Sequence, residues 1–283
     1  MATQHAQLHE NPKGPGDLRP TAKQIIENEG LQGKLSGKVA FITGCSAGVG
    51  VETAKALSLT GITLYLTARH LDKARTALGD LVNSDRFLSK NECLNILICN
   101  AGVMQPPEGR TKDGFETQFG TNHLSHFLLF NLLRPALLAG ATPDFASRIR
   151  LPGCDPIKTA NLYTANEIER RYGQQNLHAW SVQPGAVLTE LMRHLSDDAQ
   201  GGLRGDPYLA TIFKTPDQGA ATSVWAATAR ALEGQGGKYL ENCQIAKEWD
   251  PESGFFGPGY GHHAYDTAKA GELWEKSLKW VGL

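Results

Sequence analysis

The chain has almost no net charge with which to attract a polyanion. It carries 28 Lys and Arg against 29 Asp and Glu, a formal charge of −1 over 283 residues. That balance gives no electrostatic reason to bind nucleic acid or an anionic membrane. Five cysteines, odd in number and without CxxC spacing, argue against a disulfide framework and a zinc site. No run of eighteen apolar residues occurs, so a spanning helix is excluded. The first 36 residues are polar, with Pro12, Pro15 and Pro20. They hold no apolar run and read as an N-terminal extension without signal peptide or anchor. No internal repeat is present, and a soluble, reducing, cytoplasmic setting is expected.

The informative stretches lie beyond that extension. In "KVAFITGCSAGVGVETAKALSLTG", Val39 to Thr43 is an apolar run suited to a strand buried on both faces. Gly44, Gly48 and Gly50 follow, then a helical pattern through Val51, Ala54 and Leu57. Glycines between strand and helix let the backbone approach a pyrophosphate, and the helix N-terminus offers free N–H groups and a favourable dipole. A tight turn without a ligand is the plain alternative. The second strand, Ile62 to Thr67, ends in Ala68, Arg69 and His70, with no acid before Asp72. A carboxylate there would suit NAD, whereas a guanidinium suits the 2′-phosphate of NADP. Arg69 therefore favours NADP, the alternative being an exposed arginine opening a helix. "LNILICNAGVM" reads as another buried strand, closing on Asn100, Ala101 and Gly102, small enough to leave cofactor room. A long helix over "TKDGFETQFGTNHLSHFLLFNLLRPALL" carries Asn122 in an apolar stripe, a candidate site residue; a backbone-bonded asparagine is the plain alternative. His123 and His126 on that helix read as packing residues rather than metal ligands, and no metal is expected.

These motifs resemble the short-chain dehydrogenase/reductase family, in the branch of retinol-dehydrogenase-like, WW-domain-oxidoreductase-like and fungal reductases. TGxxxGxG at Thr43–Gly50, NAG at Asn100–Gly102, Asn122, Lys158 and PGxxxT at Pro184–Thr189 occur in family order. The resemblance runs from about Leu35 to the C-terminus. It implies one doubly wound α/β domain, a Rossmann-type parallel sheet over residues 37–283, and NADP(H). The reaction implied is hydride transfer between nicotinamide and a lipophilic ketone, aldehyde or alcohol, in secondary metabolism by branch. It places Gly44, Ser46, Gly48, Val49 and Gly50 at the phosphates, Arg69 at the adenosine phosphate, and Asn100 and Gly102 near the ribose. Val187 and Thr189 would meet the nicotinamide end. Lys158 would hold the nicotinamide ribose and Asn122 would anchor a water in the proton relay. A homodimer or homotetramer is implied as well.

Two stretches are too short for that plan. Only 26 residues separate Thr67 from Leu94. Helix, strand, helix and loops need on the order of 40, so a shortened sheet is expected, without a third apolar strand in this gap. The strand begun by "ATPDFASRIR" breaks off at Arg150, and ten residues, Ser147 to Pro156, must join two helices. They can span at most about 35 Å, enough to cross the sheet once. That leaves no place for the family's catalytic serine and tyrosine. Cys154 stands four residues before Lys158, but a thiol beside a lysine tends toward thiolate and is a poor proton donor. Ser147 is expected at the wrong end of the sheet, and Tyr163 on another helix face. Three explanations stay open: an enzyme with altered chemistry, a nucleotide-binding pseudoenzyme, or an incomplete product such as a splice form. The segment 188–213 reads as irregular, a lid whose Leu191, Met192, Leu195, Leu203, Tyr208, Leu209 and Phe213 suit an apolar substrate. Thr215 is expected to cap a helix, "GKYL" to form the final strand, and the C-terminal segment an amphipathic helix docked on the core.

Overall fold

The computed structural model describes residues 4–81, 93–153, 158–254 and 256–283, apart from the side chains of Asp80 and Lys158. Apolar runs become the strands β1 (Val39–Thr43), β2 (Thr63–Thr67), β3 (Ile96–Ile98), β4 (Ser147–Pro152), β5 (Leu177–Gln183) and β6 (Lys238–Glu241). They pair in the order β2-β1-β3-β4-β5-β6, all parallel, and a two-residue β7 (Gln244–Ile245) closes the sheet antiparallel to β6. The final strand is thus β7 rather than "GKYL"; Asn242 and Cys243, both at positive φ, make the turn between them. β2 forms the sheet's edge, and its half-exposed side chains contrast with fully buried β3. The strand β4 runs to Pro152 instead of stopping at Arg150. Proline is tolerated because it sits at the strand's last position, and Gly153 continues the ladder by donating to Val182 O at 2.8 Å.

Helices cover both faces, as parallel sheets require. In chain order they are α1 (Gln4–Gln7), α2 (Ala22–Asn28), α3 (Gly48–Ser58), α4 (Leu71–Leu78), α5 (Thr117–Phe119), α6 (Ser125–Gly140), α7 (Lys158–Tyr172), α8 (Asp197–Gly205), α9 (Pro207–Ile212), α10 (Pro216–Thr228) and α11 (Thr267–Trp280). One core lies under α2, α3 and α10, with Ile25, Ile42, Leu57, Trp180 and Val224. The other lies under α6, α7 and α11, with Phe127, Phe130, Ile149, Ile168 and Trp274. The N-terminal segment is no loose tail: Ile25 and Ile26 are fully buried, and a Thr21–Gln24 capping box starts α2. The C-terminal helix docks through Trp274, and Thr215 makes the expected capping box. Among the described residues no helix is long and apolar enough to cross a membrane.

Candidate active site

The strand order reverses direction between β1 and β3, and a cleft opens there at the carboxyl ends of the strands. Its volume is about 680 Å³, within the rough 300–1,000 Å³ of small-molecule sites. Gly44, Ser46, Gly48, Val49 and Gly50 line it from one side, Arg69 and His70 from the tip of β2, and Asn100 and Gly102 from the end of β3. Gly44 has φ +76°, and a Cβ there would meet Ala101 Cα at 2.7 Å, so only glycine lets these two strand ends approach. Gly50 has no room either, since its Cβ would meet Gly44 O at 2.3 Å and Asn100 Nδ2 at 2.4 Å. Asn100 Nδ2 donates to Thr43 O and Gly44 O, both at 3.2 Å, locking the loop. Ala47 leads into α3 without a side-chain cap, so the first N–H groups of an eleven-residue helix face the cleft unpaired by any cap. Free donors and a positive dipole end make that rim suited to phosphate.

The opposite wall comes from α5, α6, β4 and α7. Between α5 and α6 the chain forms one π-turn, Gly120–Leu124, instead of continuing as an uninterrupted α-helix. A π-turn splays its carbonyls away from the ladder, and Asn122 O is taken up by two side chains. Asn161 Nδ2 donates to it at 3.0 Å and to Pro152 O at 3.0 Å. His126 Nδ1 lies 3.1 Å from the same oxygen. Its tautomer follows from Thr43. The Thr43 hydroxyl accepts from Asn100 N at 2.9 Å and Ala101 N at 3.0 Å, so its own hydrogen points to His126 Nε2 at 3.2 Å. His126 therefore carries its proton on Nδ1 and stays neutral, with burial pushing its pKa down to about 4. His123 is neutral for the same reason, also at about 4, joining Asn161 Oδ1 to the Ser277 hydroxyl.

Asn122 is part of this network. It lines the cleft, but its amide bridges Val103, accepting from N at 2.9 Å and donating to O at 2.8 Å. The side chain clamps a loop, and the main-chain carbonyl is taken up by Asn161 and His126. Asn161 and Arg150 were not singled out from sequence. Asn161 lies three positions after Lys158, on the same helix face, a signal available in the spacing. Arg150 lines the cleft from the end of β4, donating from Nη1 to Cys99 O at 2.8 Å; a charged residue in an apolar strand was its signal. Thr189 reaches the cleft and caps the following turn by accepting from Leu191 N at 3.3 Å. Val187 does not line it: a Cβ at Gly219 would lie 2.5 Å from Val187 Cγ2, so the valine packs against α10. Lys158 begins α7, but its side chain, like all of Cys154, lies outside the described residues. Ser147 is at the amino end of β4, bonded to Leu94 O, and Tyr163 donates to His263 O. Among the described residues lining the cleft none is a tyrosine.

The segment 188–213, expected to be an irregular lid, is helical. Thr189, Ser196 and Asp206 each cap a short helix with their side chains. Leu191 lines the cleft and Met192 a neighbouring hollow of about 460 Å³, whereas Leu209 and Phe213 are buried in their own domain.

No family model matches the chain. Individual relatives do. It is 38% identical to a short-chain dehydrogenase/reductase, prx1, of Penicillium roqueforti, covering 95% of this chain and 92% of that one. The chain belongs to the short-chain dehydrogenase/reductase family. Oxidoreductase calI of Penicillium decumbens is 36% identical over 99% of this chain and 97% of its own length. Retinol dehydrogenase 12 of Mus musculus is 32% identical, over 88% of each. The two fungal alignments run over 315 and 337 positions against 283 residues here, so both relatives carry residues without a counterpart in this chain. Solved structures share the short-chain dehydrogenase/reductase fold. A Pseudomonas aeruginosa RhlG/NADP complex matches with TM-score 0.59 and 20% identity, covering 73% of this chain and 95% of that one. The ketoreductase LanV with bound NADP matches equally, covering 74% and 95%.

Proposed function

We propose that this chain is an NADP(H)-dependent oxidoreductase acting on a lipophilic ketone, aldehyde or alcohol. The observation that carries the reading is the joint placement of an uncapped helix N-terminus, the Gly44–Gly50 loop and the Arg69 guanidinium on one cleft. The donors suit a pyrophosphate, and a cation at the tip of β2, with no carboxylate beside it, suits a 2′-phosphate. The residues fit the cofactor, which would supply the hydride. Gly44, Ser46, Gly48, Val49 and Gly50 would hold its phosphates, Arg69 the 2′-phosphate, and Asn100 and Gly102 the ribose side. Thr189 would approach the nicotinamide end, with Val187 supporting from behind and Lys158 taking the nicotinamide ribose. Leu191 and Met192 favour an apolar substrate.

Titration by NADPH and NADH, read by fluorescence, tests the cofactor. NADPH should bind more tightly, and Arg69→Ala should reduce that preference about tenfold, the loss of one charge-assisted contact of roughly 1.4 kcal/mol. Equal affinities in the parent chain would overturn the choice of NADP. A panel of apolar carbonyls tests turnover. Saturable NADPH binding with no oxidation by any of them would remove the hydride-transfer reading and leave nucleotide binding alone.

A further inference from the structure

The geometry points to the N-terminal residues 13–19 as a strap that sets the nicotinamide loop, with Arg19 and Lys214 as its positioning residues. The inference rests on the cofactor reading above and extends it to a segment outside the cleft. Arg19 has a side chain only 2% exposed, and Asp17 holds its Nε at 2.8 Å. The rest of the guanidinium serves backbone carbonyls. Nη1 donates to Ile212 O at 2.8 Å, and Nη2 to Gly14 O at 3.0 Å and Phe213 O at 2.6 Å. The carbonyls of Ile212 and Phe213 lie at the carboxyl end of α9, where a helix leaves them without partners. A buried cation is well placed to satisfy them.

The strap is tied on its other side too. Gly14 N donates to Thr211 O at 2.8 Å and Gly16 N to Gln218 Oε1 at 3.0 Å, while Gln218 Nε2 returns to Arg19 O at 3.0 Å. Gly14 sits at φ +103°, with the site of a Cβ 3.1 Å from Ala210 O. The next residue after Phe213 passes the restraint on. Lys214 N donates to Ala186 O at 2.8 Å, and Lys214 pairs with Val187 in a parallel bridge. Its buried Nζ reaches Pro184 O at 3.3 Å and Asn242 Oδ1 at 2.9 Å, directly beneath Gly185, whose Cβ would stand 2.8 Å from it. A continuous set of hydrogen bonds therefore runs from the strap, through the Phe213–Lys214 peptide, to the Pro184–Thr189 loop.

The test compares Arg19→Met and Lys214→Met with the parent full-length chain. Amide hydrogen exchange over 184–189 and 208–214 should rise about tenfold in either variant while the β1–α3 segment stays unchanged. Affinity for NADPH should fall about tenfold, whereas adenosine 2′,5′-bisphosphate, which lacks the nicotinamide half, should bind within twofold of the parent. Equal losses for both ligands, or unchanged exchange over 184–189, would overturn the strap. Should Arg19→Met fail to fold, Asp17→Asn removes the anion that orients the guanidinium and should give the same pattern more weakly. If the parent binds neither ligand, the cofactor reading fails on its own, and exchange still decides the strap.

Discussion

The two halves of the cleft are built from different material. The half proposed to hold the nucleotide, β1–α3–β2, depends on backbone: glycines without room for a Cβ, an uncapped helix end, and one guanidinium. The opposite half, β4–α7 with the π-turn, depends on side chains: Asn122, Asn161, His123 and His126 bond one another and the ends of strands. Backbone recognition survives the loss of segments elsewhere, because it needs only the local turn. Side-chain chemistry does not, because each group must be delivered from a particular position. In this chain the first half has its glycine turn and its guanidinium on one cleft, and the second half holds no cleft-lining tyrosine among the described residues.

The largest effect that would break this contrast is in rate. Losing a general acid typically costs about 10²–10⁴ in turnover. Assayed side by side on one apolar carbonyl, this chain should be slower than a longer relative such as prx1 by about that factor, at similar NADPH affinity. Equal rates would mean that the second half carries an acid by another route.

Acid should damage the second half first. His123 and His126 are buried neutral, each held near 4 against an ordinary 6.5, because burial disfavours the imidazolium. Between those values the unfolded chain binds protons that the folded chain excludes, so stability falls as pH falls from about 6.5 to about 4. Each histidine contributes on the order of 3 kcal/mol across that window. His9, pushed by burial to about 3, extends the decline further. Urea unfolding at pH 7, 6 and 5 checks this, and His123→Gln should flatten the slope by about one proton. A pH-independent midpoint would contradict the neutral tautomers.

Next comes the first half's dependence on space. Gly50→Ala puts a Cβ 2.3 Å from Gly44 O, a backbone atom that cannot swing aside. Overpacking of this kind costs about 1–3 kcal/mol. Stability should drop by that amount and NADPH affinity by at least about tenfold, read by urea melts and fluorescence titration. Retained affinity would mean that the loop is not the phosphate cradle.

What was legible in the sequence follows the same division. The β1–α3 turn was readable because strand, glycines and helix are contiguous, and the short β2–β3 gap pointed to a shortened sheet, in which β2 forms the edge. The extent of β4 was not readable, because a proline normally argues that a strand has already ended, yet here Pro152 is the strand's last residue. The lid's helices were missed although Thr189, Ser196 and Asp206 all announce N-caps; the mixed polarity masked them. Arg19 and Lys214 were invisible for a deeper reason. Their carbonyl partners lie far along the chain, 193 residues away for Arg19 to Ile212 and 30 for Lys214 to Pro184. Carbonyl acceptors leave no mark in a sequence.

The smallest effect sharpens the boundary between the halves. Lys73 of α4 lines the cleft beside Arg69 and forms an ion pair with Glu190, in the turn that follows Thr189. Both side chains are about half exposed, so the pair itself adds little to stability. Its consequence is competition: a 2′-phosphate near Arg69 and the Glu190 carboxylate would seek the same ammonium. Glu190→Gln should therefore tighten NADPH about two- to threefold and leave NADH unchanged. Added salt should erase the difference, since exposed charges are screened within about 10 Å at 0.1 M. A gain shared by both coenzymes would place the effect in lid opening instead, and would separate Lys73 from recognition of the phosphate.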